Sequence, residues 1–225
     1  MMKRLQLVLL AAAGCLGLCG YVSGQNPMNL FKKPNIADIF KPVVGAGGLY
    51  GDQHSDGKRP PTQMEMTIVG KEMVDGQQGY WMEVGVVAGK TGGMTYSKML
   101  VTNDFQFKKV VFQQPGQPAM EMPFDLNGKQ DNQMKDEMEK WHQVGTETIT
   151  VPAGTFNCAH WKKDAGVGEV WVSDKVTPIG MVKSISEGGS TMTLLKVITG
   201  ASDHITGPVT KFDPQAFMNQ HKKPQ

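Results

Sequence analysis

The chain is short of the residues that most chemistries draw on. Of its three cysteines, Cys15 and Cys19 sit in the apolar N-terminal run, which leaves Cys158 alone in the remainder and excludes an internal disulfide there. Beyond Arg4 the one arginine is Arg59, and no block of like charge stands out. Phosphate backbones are bound by clustered Lys and Arg, so nucleic acid is excluded as a partner. The five histidines are scattered, with no HxxxH pair and no second CxH spacing to complete a metal site. There is no fixed-period repeat. The longest apolar run, Leu5 to Leu18, falls short of the roughly 20 residues that cross a bilayer.

That run has another use. Lys3 and Arg4 precede it, and Val22-Ser23-Gly24 follows before Gln25, giving the basic, apolar and small-residue regions of a signal peptide over residues 1–24. The expected location is outside the cytoplasm, periplasmic or extracellular. An alternative takes Ala12-Ala13-Gly14-Cys15 as a lipoprotein-type cleavage box with an acylated Cys15 as a membrane anchor. Leu16, Leu18 and Tyr21 oppose it by continuing the apolar run where such a protein turns polar. Removing residues 1–24 lowers Lys plus Arg from 23 to 21, equal to the 21 Asp plus Glu, so the exported chain is expected to be neutral.

Strand patterns dominate what remains. Met64, Met66 and Ile68 alternate with Glu65 and Thr67, and after Asp75-Gly76 the face of Tyr80, Met82, Val84 and Val86 returns alongside, which reads as a hairpin. Further strands are expected over residues 94–102 and 106–114, with Phe107 and Val111 opposing Val110 and Phe112. Apolar residues on both faces call for cover on both. From Thr146 the period-two pattern resumes, stops at Pro152-Ala153-Gly154, and continues through Thr155 to Lys163, Val167 to Ser173, Ile179 to Ser186 and Ser190 to Gly200.

Residues 25–61 read as a short helix, Ile36 to Phe40, and a Gly/Pro-rich loop with a short strand near Leu49. Gly45, Gly47 and Gly51 miss the dinucleotide spacing, and VVAGKT at residues 86–91 lacks the first glycine and following helix of a phosphate loop. A helix is expected over Asp131 to His142, its stripe of Met134, Met138 and Trp141 turned toward the sheet. A second is expected over Gln215 to Lys223, in a tail spanning residues 201–225.

TVPAGTFNC, which begins at Thr150, and EVWVSDKVTPIGMVK, which begins at Glu169, resemble a group of secreted bacterial proteins of unknown function. Gly79 to Val84 and Gly116 to Pro123 extend the likeness. The resemblance implies a fold similar to the curved antiparallel sheet of the lipoprotein-carrier superfamily, and it implies no catalytic residues or cofactor.

Three sets of residues invite chemistry. Cys158 and His160 share a strand face and suggest a metal site or a nucleophile with its base. Alternate strand residues stand almost 7 Å apart, however, which is long for a hydrogen bond. Met64 with Met66, and Met120 with Met122, suit a soft metal ion but also fill cores. The tryptophans Trp81, Trp141, Trp161 and Trp171 suit a groove mouth or a core. The expectation is a mainly β domain over residues 62–200, a strongly curved, half-barrel-like antiparallel sheet of about nine to eleven strands, with one or two covering helices. Its expected role is non-enzymatic: an apolar or lipid-like ligand held between sheet and helix, with Met138 and Trp141 as the ligand contacts and no cofactor. The alternatives are a structural or interaction component of the cell envelope and, third, a metal-binding or enzymatic protein using Cys158 and His160.

Overall fold

The computed structural model describes residues 39–54, 61–88, 93–113, 116–122, 140–164 and 166–212. Within them lie twelve strands: β1 (Ala46–His54), β2 (Thr62–Val74), β3 (Gln77–Ala88), β4 (Gly93–Thr102), β5 (Phe107–Gln113), β6 (Ala119–Glu121), β7 (Trp141–Val151), β8 (Gly154–Lys163), β9 (Glu169–Val172), β10 (Met181–Ile185), β11 (Ser190–Thr199) and β12 (Val209–Lys211). They form one open sheet in the order β12-β6-β5-β4-β3-β2-β1-β11-β10-β9-β8-β7. Every pairing is antiparallel except β12 with β6, so the sheet is mixed rather than wholly antiparallel.

Local chemistry explains the hairpins. Asp75 and Gly76 take φ values of 51° and 76°, the left-handed pair of a two-residue turn whose twist matches its strands. Met64, Met66 and Ile68 then meet Met82 and Val84 on one buried face. Between β7 and β8 the chain reverses at Gly154, whose φ is +134°. A β-carbon there would meet nothing nearer than the Phe156 ring at 3.8 Å, so the constraint is on the backbone. Gly154→Val is expected to lower stability by about 1 kcal/mol or more, because a β-branched residue resists this conformation. A thermal unfolding midpoint equal to the wild type would contradict it.

The sheet wraps around its core. One apolar cluster takes Tyr50 from β1, Met66 from β2, Met99 from β4, Phe156 and Cys158 from β8, Trp171 from β9 and Leu194 from β11. The Tyr50 hydroxyl donates to the Met181 carbonyl at 3.1 Å inside it. The turn after β7 also reaches back to β11, where the Ala153 N–H donates to the Leu194 carbonyl at 3.3 Å, although β7 and β11 lie four places apart in the sheet.

Three expectations need correction. First, β1 is a nine-residue central strand rather than a short one in a loop. Its glycines sit where a neighbouring strand leaves no room: a β-carbon on Gly47 would lie 2.1 Å from the Met66 carbonyl oxygen. Second, no covering helix is present among the described residues. Residues 131–139, with Met134 and Met138, lie outside them, but Trp141 and His142 open β7, paired with Lys163 and Lys162 of β8. Pairing with a long partner strand overrides the local helical stripe at that end. The proposed signal peptide with Cys15, most of the Ile36 to Phe40 helix, and the Gln215 to Lys223 helix also lie outside the described residues.

Third, Phe107 and Val110 share the core face. Leu100 pairs with Lys109 and Val101 with Phe107, so Lys108 is an inserted bulge residue that turns the alternation over. Val111 consequently faces outward, where it packs with Ala119, Ile205, Trp81 and Tyr96. The second greasy face is therefore covered by chain from beyond β11.

Candidate functional site

Cys158 and His160 lie on one face of β8, as their spacing requires, but they are put to different uses. Cys158 is wholly buried and its thiol points to the Phe156 carbonyl, 3.7 Å away. Burial, with the nearby Glu147 charge adding to it, pushes the thiol up to about 11. A thiol held protonated in apolar surroundings is a poor nucleophile and a poor metal ligand. At pH 8, Cys158 in the native protein is expected to resist iodoacetamide for hours and to be alkylated within minutes once denatured. Intact mass reads this, and rapid alkylation of the folded chain would contradict the burial.

His160 is instead the centre of a polar cluster built by three strands. Its Nδ1 lies 3.0 Å from Glu147 Oε1 on β7, and its Nε2 lies 2.7 Å from Glu169 Oε2 on β9. Register explains the convergence: Glu147 pairs with Cys158, Trp171 with His160 and Glu169 with Lys162, which brings all of these residues to one face. The imidazole stacks on Trp171 with centroids 4.3 Å apart and planes 14° from parallel. The Trp171 indole N–H donates to Glu147 Oε1, and Lys183 Nζ of β10 lies 5.0 Å from the Trp171 ring. Burial raises the Glu169 carboxyl, but hydrogen bonds and charge from His160 and Lys162 outweigh it and leave it below the usual carboxylate range. With a carboxylate on each ring nitrogen, His160 has neither one free to exchange a proton with a substrate. The cluster ties β7, β8 and β9 together.

A second constellation is invisible in the sequence. Ser190 Oγ lies 2.7 Å from Asp52 Oδ1 and 2.8 Å from His54 Nδ1, and His54 Nε2 lies 3.2 Å from Asp52 Oδ2. The members resemble a hydrolytic triad, whose Asp orients His and whose His activates Ser. Here the serine also donates to the aspartate, so its one proton is directed away from the histidine. Three mutual contacts close a triangle that fastens the end of β1 to β11. Nothing local announces it, since Asp52 and His54 lie in a stretch that reads as Gly/Pro-rich loop and Ser190 is 136 residues from His54.

The remaining sequence candidates do not converge. Met64 and Met66 are core residues at 7% and 1% exposure. Trp81 lies on the outer face, with Lys98 Nζ 5.3 Å and Lys109 Nζ 6.0 Å from its ring, whereas Trp171 belongs to the core. Trp141 pairs with Lys163 and shares a face with Trp161, opposite that of Cys158 and His160. Its ring covers Gly168, where a β-carbon would come within 3.2 Å. No group of three or more His, Cys, Asp or Glu side chains among the described residues could hold a metal ion.

No family model and no curated protein sequence matches the chain. Among solved structures it is similar to a candidate lipoprotein from Parabacteroides distasonis, at 15% identity over 71% of this chain and 97% of that one, with a TM-score of 0.37. It is also similar to a candidate exported protein with a YmcC-like fold from Bacteroides fragilis, at 14% identity over 71% and 98%, with a TM-score of 0.35. A third likeness is to PNGF-II, at 12% identity over 76% of this chain and 31% of that one, with a TM-score of 0.37. At these identities and scores the likenesses carry no argument about activity.

Proposed function

We propose that the protein is an exported, non-enzymatic binding module of the cell envelope that holds an apolar, lipid-like ligand against the inner side of its curved sheet. The observation that carries this reading is the methionine content of that side. Met64, Met66, Met82, Met99 and Met181 belong to the single cluster around which the sheet is wrapped. Methionine is unbranched and adaptable, the residue that re-packs most readily around a guest. Ligand entry would shift thioether side chains and leave the strand ladders intact. The carboxylate-bound histidines and the protonated Cys158 thiol favour binding over catalysis.

A second reading, a protein-interaction component of the envelope, draws on β7. It is the last strand of the sheet, and Val144 to Thr148 along it are exposed, the arrangement that accepts an added strand. Titration with a fluorescent fatty-acid probe separates the two. Saturable binding at micromolar probe, displaced by an unlabelled fatty acid, is expected of the binding module. No binding would move the assignment to the second reading.

A further inference from the structure

Glu83 lies on the outer face of the sheet at 1% exposure, paired with Thr67 of β2 and Lys98 of β4. Its oxygens are taken by one residue from far along the chain: Oε1 meets His204 Nδ1 at 2.7 Å, and Oε2 accepts the His204 backbone N–H at 3.1 Å. The His204 ring stacks on Tyr96, with centroids 4.3 Å apart and planes 8° from parallel. On one side of it, Asp203 Oδ2 meets Lys98 Nζ at 2.5 Å and Oδ1 accepts the Ile205 N–H at 2.8 Å. Lys98 Nζ also donates to the Ile205 carbonyl at 2.8 Å, and the Ile205 side chain, 2% exposed, packs on Val111 and Ala119. Four residues later the chain becomes β12 and pairs with β6.

We propose that residues 203–211 form a latch across β3, β4 and β5, held shut while Glu83 carries a proton and loosened as pH rises, and that its release bares the outer face around Trp81, Tyr96 and Val111. Under the closed latch a charged carboxylate loses its hydration; with the latch open, water restores it. The closed form therefore takes up a proton more readily than the open one. Burial is the main cause that raises the closed-state carboxyl, opposed by the His204 hydrogen bonds and charge and assisted by the Asp203 charge. A group raised in the closed state stabilises it at low pH and loses that contribution as pH climbs through the raised value. The other titratable groups around it are Glu65 of β2 and Tyr96 and Lys98 of β4, with Lys109 of β5 further along the same side and paired with Glu72 at 2.6 Å. Lys98 is engaged by Asp203 and the Ile205 carbonyl. This device is independent of any ligand on the inner side.

Hydrogen exchange of the full chain, read by mass spectrometry from pH 5 to 8 and corrected for intrinsic amide rates, tests the latch. Protection over residues 203–211 is expected to fall with rising pH by up to about tenfold per unit, the limit for one linked proton, while β2 and β3 keep theirs. Glu83→Gln, neutral throughout, should hold that protection constant, and His204→Gln should leave the slope in place. A wild-type profile flat in pH, or a slope surviving in Glu83→Gln, overturns the proposal. A slope abolished by His204→Gln also overturns it, by assigning the proton to the histidine. Should Glu83→Gln fail to fold, the wild-type and His204→Gln profiles decide.

Discussion

Gly47→Ala is expected to destabilise the protein by about 3 kcal/mol or more, at the upper end of overpacking effects, and to lower the unfolding midpoint by about 6 to 12 °C for a chain of this size. One added methyl has this effect because of what it meets. The β-carbon would lie 2.1 Å from the Met66 carbonyl oxygen and 2.7 Å from Thr67 Cα, both on a paired central strand with no freedom to retreat. Gly48 makes the contrast, since its nearest obstacles, Leu194 Cδ1 at 2.7 Å and the Tyr50 hydroxyl at 2.9 Å, are ends of side chains. Gly48→Ala should cost less. Gly145→Ala, with nothing within 4 Å, should change stability by under about 0.5 kcal/mol. Equal midpoints for Gly47→Ala and Gly145→Ala would contradict the close packing of β1 on β2.

Trp171→Ala is expected to cost about 3 to 5 kcal/mol, the usual range for deleting a buried aromatic residue. Trp171 is 7% exposed, and its removal leaves a cavity in the main cluster while stripping the stacked surface from His160. It also removes the N–H that Glu147 accepts. Trp171→Phe keeps most of the area and loses that hydrogen bond, so it should recover more than half of the stability. Chemical denaturation of the two variants and the wild type measures this. A Trp171→Ala loss below about 1 kcal/mol would mean that the cluster does not hold β7, β8 and β9 together.

The contrast between Gly154 and Gly47 shows where the sequence was legible. Gly154 follows Pro152-Ala153 at the end of an alternating run, and its need for positive φ is a local matter written in adjacent residues. Gly47 looks like loop punctuation, because the reason for a glycine there is a carbonyl oxygen on β2 that no neighbouring residue announces. The same division holds elsewhere. The Asp75-Gly76 hairpin and the core faces of β2 and β3 follow from period-two alternation, whereas the Lys108 bulge, the parallel pairing of β12 with β6 and the strand state of Trp141 depend on distant partners. In the polar cluster, His160 could be picked out and its sharing of a face with Cys158 deduced. The role of neither followed, since burial silences the thiol and the carboxylates that occupy the imidazole come from two other strands. Glu83 alternates with Met82 and Val84 along β3, and only the returning chain at His204 makes it a buried, hydrogen-bonded carboxyl.

Native mass spectrometry of the protein purified from the envelope of its own host tests the binding role most directly. A single retained mass of a few hundred daltons, removed by organic extraction and restored by incubation with the extract, is the expected result. The bare polypeptide mass under gentle ionisation, together with no saturable binding of a fatty-acid probe, would contradict it.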